Sequence, residues 1–224
     1  MTSSDAAYAT IRDAVDTAAR RAGHPARVLA VSKTKPAAAI RALARLGQCE
    51  FGENYVQEAL AKQGELADLQ LRWHLIGPLQ SNKCREVSEH FDWLESLDRE
   101  KLIAPLNRYR PDDKPPLNVL IQVNIDAEAS KSGCAPQAIP GLAQRIAEAP
   151  RLALRGLMAI PEPHPDLARR RIAFRRMREL FDELRKDHPA ADTLSLGMSD
   201  DFELAIEEGA TLVRVGTALF GARE

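Results

Sequence analysis

The chain alternates short apolar runs with longer segments in which apolar residues recur every three or four positions. Short apolar runs are typical of buried strands, and the longer periodicity is typical of amphipathic helices. The apolar runs are Val28–Val31, Cys49–Gly52, Leu71–Ile76, Trp93–Leu97, Leu117–Val123, Leu154–Met158, Thr193–Leu196 and Leu212–Val215. About eight strands alternating with helices predict an α/β fold, a single (β/α)8 barrel of the TIM type.

The segments between these runs predict the helices that cover the barrel. They are Pro36–Leu46, Tyr55–Leu66, Lys83–His90, Arg99–Arg108, Pro136–Ala149, Leu167–Lys186 and Asp201–Glu208. Residues 1–24 predict an extra helix packed on the barrel, with Tyr8, Ile11 and Val15 on one face and Gly23 at its end. A doubly wound open sheet is the alternative, but the first turn, Ser32–Pro36, lacks the glycines of that fold. We therefore predict one domain over residues 1–224.

The net charge, the cysteine count and the length of the apolar stretches argue against several classes of protein. The chain has 224 residues, and its formal net charge of -1 does not favour nucleic acid as a partner. Three scattered cysteines indicate neither a disulfide framework nor a metal site, and they suit a reducing cytoplasm. No stretch is apolar enough to span a membrane, and the N-terminal segment carries too many aspartates for a signal peptide.

Residues suited to chemistry follow directly after the predicted strands. In strand order they are Lys33, Phe51–Tyr55, Ile76–Lys83, Asn124, Met158, Ser195–Asp200 and Arg214–Thr217. Because the carboxyl ends of barrel strands meet on one face, we expect these residues to converge there.

Lys33 is the most informative of these residues. Burial at the end of the first strand would lower its pKa and favour the neutral amine, which is the nucleophile that forms a Schiff base. Lys35 falls on the same side if the strand persists, and its charge would lower the pKa of Lys33 further.

The segments SLGMSD and RVGT predict an anion site. Loops after the last two strands of a barrel commonly bind phosphate, and Gly197 and Gly216 would let the backbone approach a ligand. Ser199 and Thr217 would add hydroxyl donors, while Ser199 or Asp200 could cap the following helix. The alternative is that these residues serve only as turn and cap residues.

Arg214 is costly to bury inside an apolar run unless it is paired. It either faces the barrel mouth and donates a hydrogen bond to a ligand, or it points outward and pairs with a carboxylate such as Glu208. For His74 we expect a satisfied core histidine, for Asn54 a helix cap, and for Lys131 and Ser132 an exposed loop.

Together the motifs resemble one known family, the pyridoxal phosphate homeostasis proteins. The motifs are AVSKTKP, FGENYVQE, WHLIGPLQSNK, SKSG, RGLMAIP, SLGMSDD and VRVGTALFGAR, spread over residues 27 to 223. The resemblance implies a barrel like the N-terminal domain of alanine racemase, with pyridoxal 5′-phosphate (PLP) bound through a lysine Schiff base. It implies a role in holding and supplying the cofactor, with no established catalysis.

The resemblance also implies which residues bind the cofactor. Lys33 matches the Schiff-base lysine, and Arg214 matches the arginine near the pyridine nitrogen. Ser199 and Thr217, with the backbone around Met198 and Gly216, match the phosphate contacts, and Asn54 matches a polar residue near the cofactor. Some family members carry a basic tail beyond the position of Glu224, so no role of such a tail is carried over.

Two alternative functions remain open from the sequence. A PLP-dependent racemase needs proton-transfer groups on both faces of the cofactor, and of the tyrosines only Tyr55 is placed near the mouth. The second alternative is a nucleic-acid or protein-binding module, and the near-zero net charge and the lack of an aromatic and basic platform weigh against RNA or DNA. We therefore predict a cytoplasmic, monomeric carrier of PLP whose partners are PLP-dependent apoenzymes.

Overall fold

The computed structural model describes residues 3–128 and 132–221. Eight parallel strands close into a barrel in chain order, with β8 beside β1. They are β1 (Arg27–Val31), β2 (Glu50–Glu53), β3 (Arg72–Leu75), β4 (Trp93–Leu97), β5 (Leu117–Gln122), β6 (Leu152–Met158), β7 (Thr193–Ser195) and β8 (Leu212–Val215). The predicted (β/α)8 barrel is confirmed, and each predicted strand lies within two residues of its observed bounds.

The helices follow the strands as predicted, with small shifts at their ends. They are α1 (Ser3–Ala22), α2 (Ala37–Arg45), α3 (Val56–Glu65), α4 (Cys84–His90), α5 (Ile103–Tyr109), α6 (Ile139–Ala147), α7 (Leu167–Asp187), α8 (Phe202–Glu207) and α9 (Thr217–Phe220). The first turns predicted for α5 and α6 are instead 3₁₀ turns, at Glu100–Leu102 and Pro136–Ala138. The short helix α9 was not predicted from the sequence.

The N-terminal helix α1 packs against α8 and α9. Tyr8, Ile11 and Val15 are buried on one side of it, as the periodicity predicts. Gly23 follows the helix with φ of 75°, a left-handed conformation that glycine adopts without strain. None of the described helices has the length and apolar character needed to cross a membrane.

The barrel has an apolar layer outside its strands and a mixed interior. The outer layer lies between strands and helices, and it accounts for most of the buried apolar residues. Inside, Trp93, Leu120 and Met158 form a small separate cluster. Buried polar residues share this interior, namely His74, Glu95, Ser195 and Arg214. The strands are therefore buried on both faces, which explains their nearly continuous apolar runs.

Candidate functional site

A cavity of about 460 Å³ opens where the strands of the barrel end. Its lining residues are Val31, Lys33, Asn54, Ile76, Gly77, Pro78, Gln122, Ser132, Ile160, Met198, Ser199, Asp200, Arg214, Gly216 and Thr217. Every residue of the predicted cofactor site is among them. The sequence argument, which rested on strand ends meeting on one face, therefore brought together residues that the structure also brings together.

Lys33 lies on one wall of the cavity, two residues after β1 ends at Val31. Thr34 then turns the chain with φ of 65°, so the strand does not persist. Lys35 is consequently not among the lining residues, and its Nζ donates to the carbonyl of Phe220 at 3.3 Å. Lys35 was expected on the side of Lys33 only if the strand persists, and this condition is not met because β1 ends at Val31 and the chain turns at Thr34.

Charged side chains hold the backbone on both sides of Lys33. Lys62 Nζ on α3 donates to the carbonyl oxygen of Ser32 at 2.8 Å, and the N–H of Thr34 donates to Glu58 Oε1 at 2.6 Å. Lys62 also donates to Glu58 at 2.6 Å and to Glu53 at 2.7 Å. We call Glu53, Glu58 and Lys62 the lysine clamp, since it holds the segment from which Lys33 enters the cavity.

Within the lysine clamp, Glu53 is fully buried at the end of β2. Its Oε1 accepts hydrogen bonds from Lys62 and from the Ser32 hydroxyl, while its Oε2 has no partner in the described part of the chain. Burial raises the pKa of Glu53, and the hydrogen bonds from Lys62 and Ser32 oppose that rise without cancelling it. Lys62 is therefore the cation that offsets the burial of the Glu53 carboxyl group.

A second wall consists of the loops after β7 and β8, and the loop after β8 lies directly beside the end of β1. The main-chain N–H groups of Ser199, Gly216 and Thr217 donate no hydrogen bond to any residue that the structure describes. Their donors line the cavity beside the hydroxyls of Ser199 and Thr217. Unpaired N–H groups gathered in a concave loop form a favourable place for an anion.

The predicted helix cap in this loop is wrong. The N-cap residue of α8 is Asp201, and neither Ser199 nor Asp200 caps it. The Asp201 carboxylate accepts the N–H of Met198 at 2.8 Å and lies 3.4 Å from Arg170 Nη1. Because Asp201 holds the loop, the N–H and hydroxyl of Ser199 stay available to a ligand.

Arg214 forms part of the cavity floor and is only 4% exposed. Its Nη1 donates to the carbonyl and the hydroxyl of Ser195 at 2.8 and 2.7 Å, and its Nη2 donates to the carbonyl of Ala159 at 2.8 Å. Its Nε bonds to none of the described residues. Because Arg214 is buried and bonded to Ser195 and Ala159, it does not point outward. Its expected outward partner, Glu208, pairs instead with Arg171 and Arg175.

The remaining residues predicted from the sequence divide into some that line the cavity and some that do not. Asn124 and Met158 are not among the lining residues, since Asn124 bonds within its own loop to Glu128 and Met158 is fully buried in the barrel. Asn54 lines the cavity, and the N-cap of α3 is Tyr55, so the capping role expected for Asn54 is wrong. Ser132 is exposed as expected, and Lys131 lies outside the described residues.

Sequence reasoning missed part of the lining. Gln122 ends β5, and its Nε2 donates to the carbonyl of Ser132 at 3.3 Å, so the strand-end rule could have found it. The role of Gly77 could not be predicted from the sequence, because glycine is required there by a close contact with the backbone of Asn54. A Cβ at residue 77 would lie 2.2 Å from the carbonyl oxygen of Asn54. Glycine at this position lets the loop after β3 pack against Asn54.

The two walls and the floor define a class of site. An amine on one wall can condense with a carbonyl group, and unpaired N–H donors on the other wall can hold a phosphate. An arginine on the floor still has two N–H groups that can donate to a ring nitrogen or another acceptor. The fold and site therefore define a lysine-bearing barrel built to hold a phosphorylated carbonyl compound.

Comparison with known proteins agrees with this class. Residues 7–224 match the family model described as alanine racemase, N-terminal domain. A Pseudomonas aeruginosa relative named pyridoxal phosphate homeostasis protein is 58% identical over 218 residues, covering 96% of this chain and 92% of its own. The relative of that name in Escherichia coli (strain K12) is 52% identical over 222 residues, covering 96% and 95%.

A solved structure is similar over nearly the whole chain. PipY of Synechococcus elongatus PCC7942, solved with PLP bound, superposes with a TM-score of 0.84 at 39% identity and covers 97% of this chain and 100% of its own. The chain belongs to the pyridoxal phosphate homeostasis protein family, and its barrel matches the model of the alanine racemase N-terminal domain.

The lysine clamp gives a prediction about stability. Lys62→Met leaves the buried Glu53 carboxylate without its cation, so we expect the free energy of unfolding to fall by about 3 kcal/mol near neutral pH. Urea denaturation measures this loss. Lys186→Met is the matched control, because Lys186 pairs with Glu183 on an exposed face and its loss should change stability by less than about 0.5 kcal/mol.

The loss should also depend on pH. In Lys62→Met the pKa of Glu53 rises further in the folded state, so protonation favours folding and the deficit is small at acidic pH. The deficit should grow as the pH rises through the raised pKa of Glu53, which lies above the ordinary value of 4.5. A deficit that is equal at pH 4.5 and pH 8 would contradict the role given to Glu53.

Proposed function

We propose that this protein binds pyridoxal 5′-phosphate in the cavity as a Schiff base with Lys33 and acts in cofactor homeostasis as a carrier. The observation that carries the proposal is that Lys33 lines the same cavity as Ser199, Gly216 and Thr217, whose main-chain N–H groups have no acceptor among the described residues. The names of the relatives and the PLP-bound structure of PipY support it. Condensation of the Lys33 amine with the aldehyde would form a C=N bond and release one water molecule.

The available donors fit the functional groups of PLP. The phosphate would take the N–H groups of Ser199, Gly216 and Thr217, with the hydroxyls of Ser199 and Thr217 as further donors, while the N–H of Met198 is already bonded to Asp201. Asn54 lines the same cavity and would contact the cofactor from the wall that also carries Lys33. When bound, PLP supplies an electrophilic aldehyde conjugated to a pyridine ring.

Arg214 would face the pyridine nitrogen. Arginine can only donate hydrogen bonds, and the Nε of Arg214 is a donor without a partner among the described residues. A donor at this position needs the lone pair of the ring nitrogen, so the ring stays unprotonated. A carboxylate there would instead stabilise a protonated ring, which withdraws electrons more strongly. Arg214 therefore suits a cofactor that is held and passed on.

The alternative is a PLP-dependent amino acid racemase or related enzyme. Such an enzyme needs an acid or base on each face of the cofactor. None of the three tyrosines lines the described cavity, and Tyr55 is 65% exposed on the outside. Relatives named for homeostasis also favour the carrier over the enzyme.

The carrier would act in the cytoplasm on PLP-dependent apoenzymes. Cys49, Cys84 and Cys134 are free thiols, as a reducing compartment allows. The net charge of -1 favours neither nucleic acid nor an anionic surface as a partner. We propose that the protein works as a monomer, since the cavity is built from one barrel.

Two lysine variants test the attachment point. The wild-type protein loaded with PLP should show a visible absorption band, and borohydride should fix the cofactor on the peptide that contains Lys33. Lys33→Ala should lose the band. Lys35→Ala is the matched control and should keep it, because Lys35 is not a lining residue. An adduct mapped to Lys35 or Lys131 in the wild type would show that the assignment is wrong.

The phosphate wall can be tested by comparing two ligands. The double variant Ser199→Ala with Thr217→Val removes two hydroxyl donors, so affinity for PLP should fall about tenfold or more. Affinity for pyridoxal, which has no phosphate, should stay unchanged. Equal loss for both ligands would place these hydroxyls away from the phosphate. Equilibrium titration of the absorption band measures both affinities.

Incubation with single amino acid enantiomers tests the carrier against the enzyme. We expect no racemisation, decarboxylation or transamination at rates on the order of 1–10³ s⁻¹, the range of ordinary enzymes. Chiral chromatography of the products measures this. Turnover in that range that is abolished by Lys33→Ala would show that the protein is a PLP-dependent enzyme.

A further inference from the structure

A chain of buried polar side chains crosses the barrel interior beneath the cavity. Nη1 of Arg214 donates to Ser195 Oγ at 2.7 Å, and that hydroxyl donates to Glu95 Oε2 at 2.6 Å. The other carboxylate oxygen of Glu95 lies 2.8 Å from Nδ1 of His74. Strands β8, β7, β4 and β3 thus each contribute one member.

Glu95 is a fully buried carboxylate that the cofactor contacts proposed above do not use. A buried charge is costly unless it is paired and hydrogen-bonded. Burial alone would raise the pKa of Glu95, but hydrogen bonds from His74 and Ser195 and the charge of Arg214 outweigh it, so the pKa lies below its ordinary value. Glu95 is therefore ionised, and both of its oxygens accept hydrogen bonds.

We infer that Glu95 is a positioning residue, the buried counterion that holds Arg214 at the cavity floor through Ser195 and sets the charge felt by a bound cofactor. The inference rests on the proposed function, because it concerns the pyridine end of that site. Three of the five N–H groups of Arg214 donate to Ser195 and Ala159, which fixes the guanidinium and leaves the Nε–H and one Nη2–H for the cofactor. Glu95 thus acts on the cofactor through Arg214 without touching it.

The other charged groups near this row of hydrogen-bonded side chains lie at its two ends. Asp201 follows β7 and contributes to the field at Arg214. At the opposite end, Glu50 Oε1 lies 3.9 Å from His74 Nε2, and it accepts hydrogen bonds from Arg27 at 2.6 Å and Arg72 at 3.3 Å. Glu50 already has its own cations, so Glu95 is the carboxylate that neutralises Arg214 in the barrel interior.

The expected effect has a definite sign. Glu95→Gln removes one negative charge and leaves Arg214 in place, so the potential in the cavity becomes more positive. A more positive potential favours loss of the proton from the Schiff-base nitrogen. The pH midpoint of the visible absorption change should therefore fall by about one unit relative to the wild type. A side chain that only packs the interior would leave this midpoint unchanged.

The experiment titrates the absorption spectrum of the PLP-loaded protein with pH in a set of matched variants. Glu95→Asp keeps the charge and should restore a midpoint near that of the wild type. Glu50→Gln removes a buried carboxylate at the other end of the same interior and should leave the midpoint unchanged. Ser195→Ala breaks the link while keeping Glu95, so it should shift the midpoint in the same direction as Glu95→Gln, by less.

Borohydride mapping of the same samples distinguishes the proposed attachment of PLP to Lys33 from the proposed role of Glu95. A wild-type protein without an adduct on Lys33 would contradict the proposed function, and this inference would fall with it. An adduct on Lys33 with an unchanged midpoint in folded Glu95→Gln would overturn the inference alone. Should Glu95→Gln fail to fold, an unchanged midpoint in Ser195→Ala would overturn it equally.

Discussion

Burying the Arg214 guanidinium requires a counter-charge inside the barrel, and the hydrogen-bonded pair of Arg214 and Glu95 through Ser195 meets this requirement. A cation removed from water is costly unless an anion and hydrogen-bond acceptors replace the water. Ser195 and Ala159 supply the acceptors, and Glu95 supplies the charge. Because the pair occupies the barrel interior, the floor of the cavity carries a fixed donor where other barrels pack apolar side chains.

The two walls of the cavity are held by different kinds of interaction. On the β1 side, charges of the lysine clamp hold the peptide groups on either side of Lys33. On the β7 and β8 side, the main-chain N–H groups of Ser199, Gly216 and Thr217 have no acceptor among the described residues, and Asp201 accepts the N–H of Met198. In the proposed function, one wall would supply the nucleophile, the other would supply the anion donors, and Arg214 would supply a donor for the ring nitrogen. These three roles correspond to the aldehyde, phosphate and ring nitrogen of PLP.

Much of the fold could be predicted because barrel strands are short, apolar and regularly spaced. The strand-end rule predicted that Lys33, Ser199 and Thr217 converge on one face, and all three line the cavity. The rule does not extend to Lys35, since the turn at Thr34 depends on the hydrogen bond to Glu58, a residue distant in sequence. It also could not find Glu95, because a carboxylate within an apolar run has no visible partner until Ser195 and His74 are brought beside it.

Short-range signals were equally ambiguous at the ends of helices. The sequence around Ser199 offers several cap candidates, and the structure uses Asp201, the next acidic residue. The helix α9 has only four residues, too few for a periodic pattern. These errors concern local geometry that the surrounding loops decide, so a single sequence contains little information about them.

A crystal structure of the PLP-loaded protein tests the central claim most directly. The account predicts continuous density between Lys33 Nζ and the cofactor, the phosphate on the loops of Ser199 and Thr217, and Nε or Nη2 of Arg214 within ~3.2 Å of the ring nitrogen. A cofactor attached to another lysine, or a ring nitrogen turned away from Arg214, would contradict it.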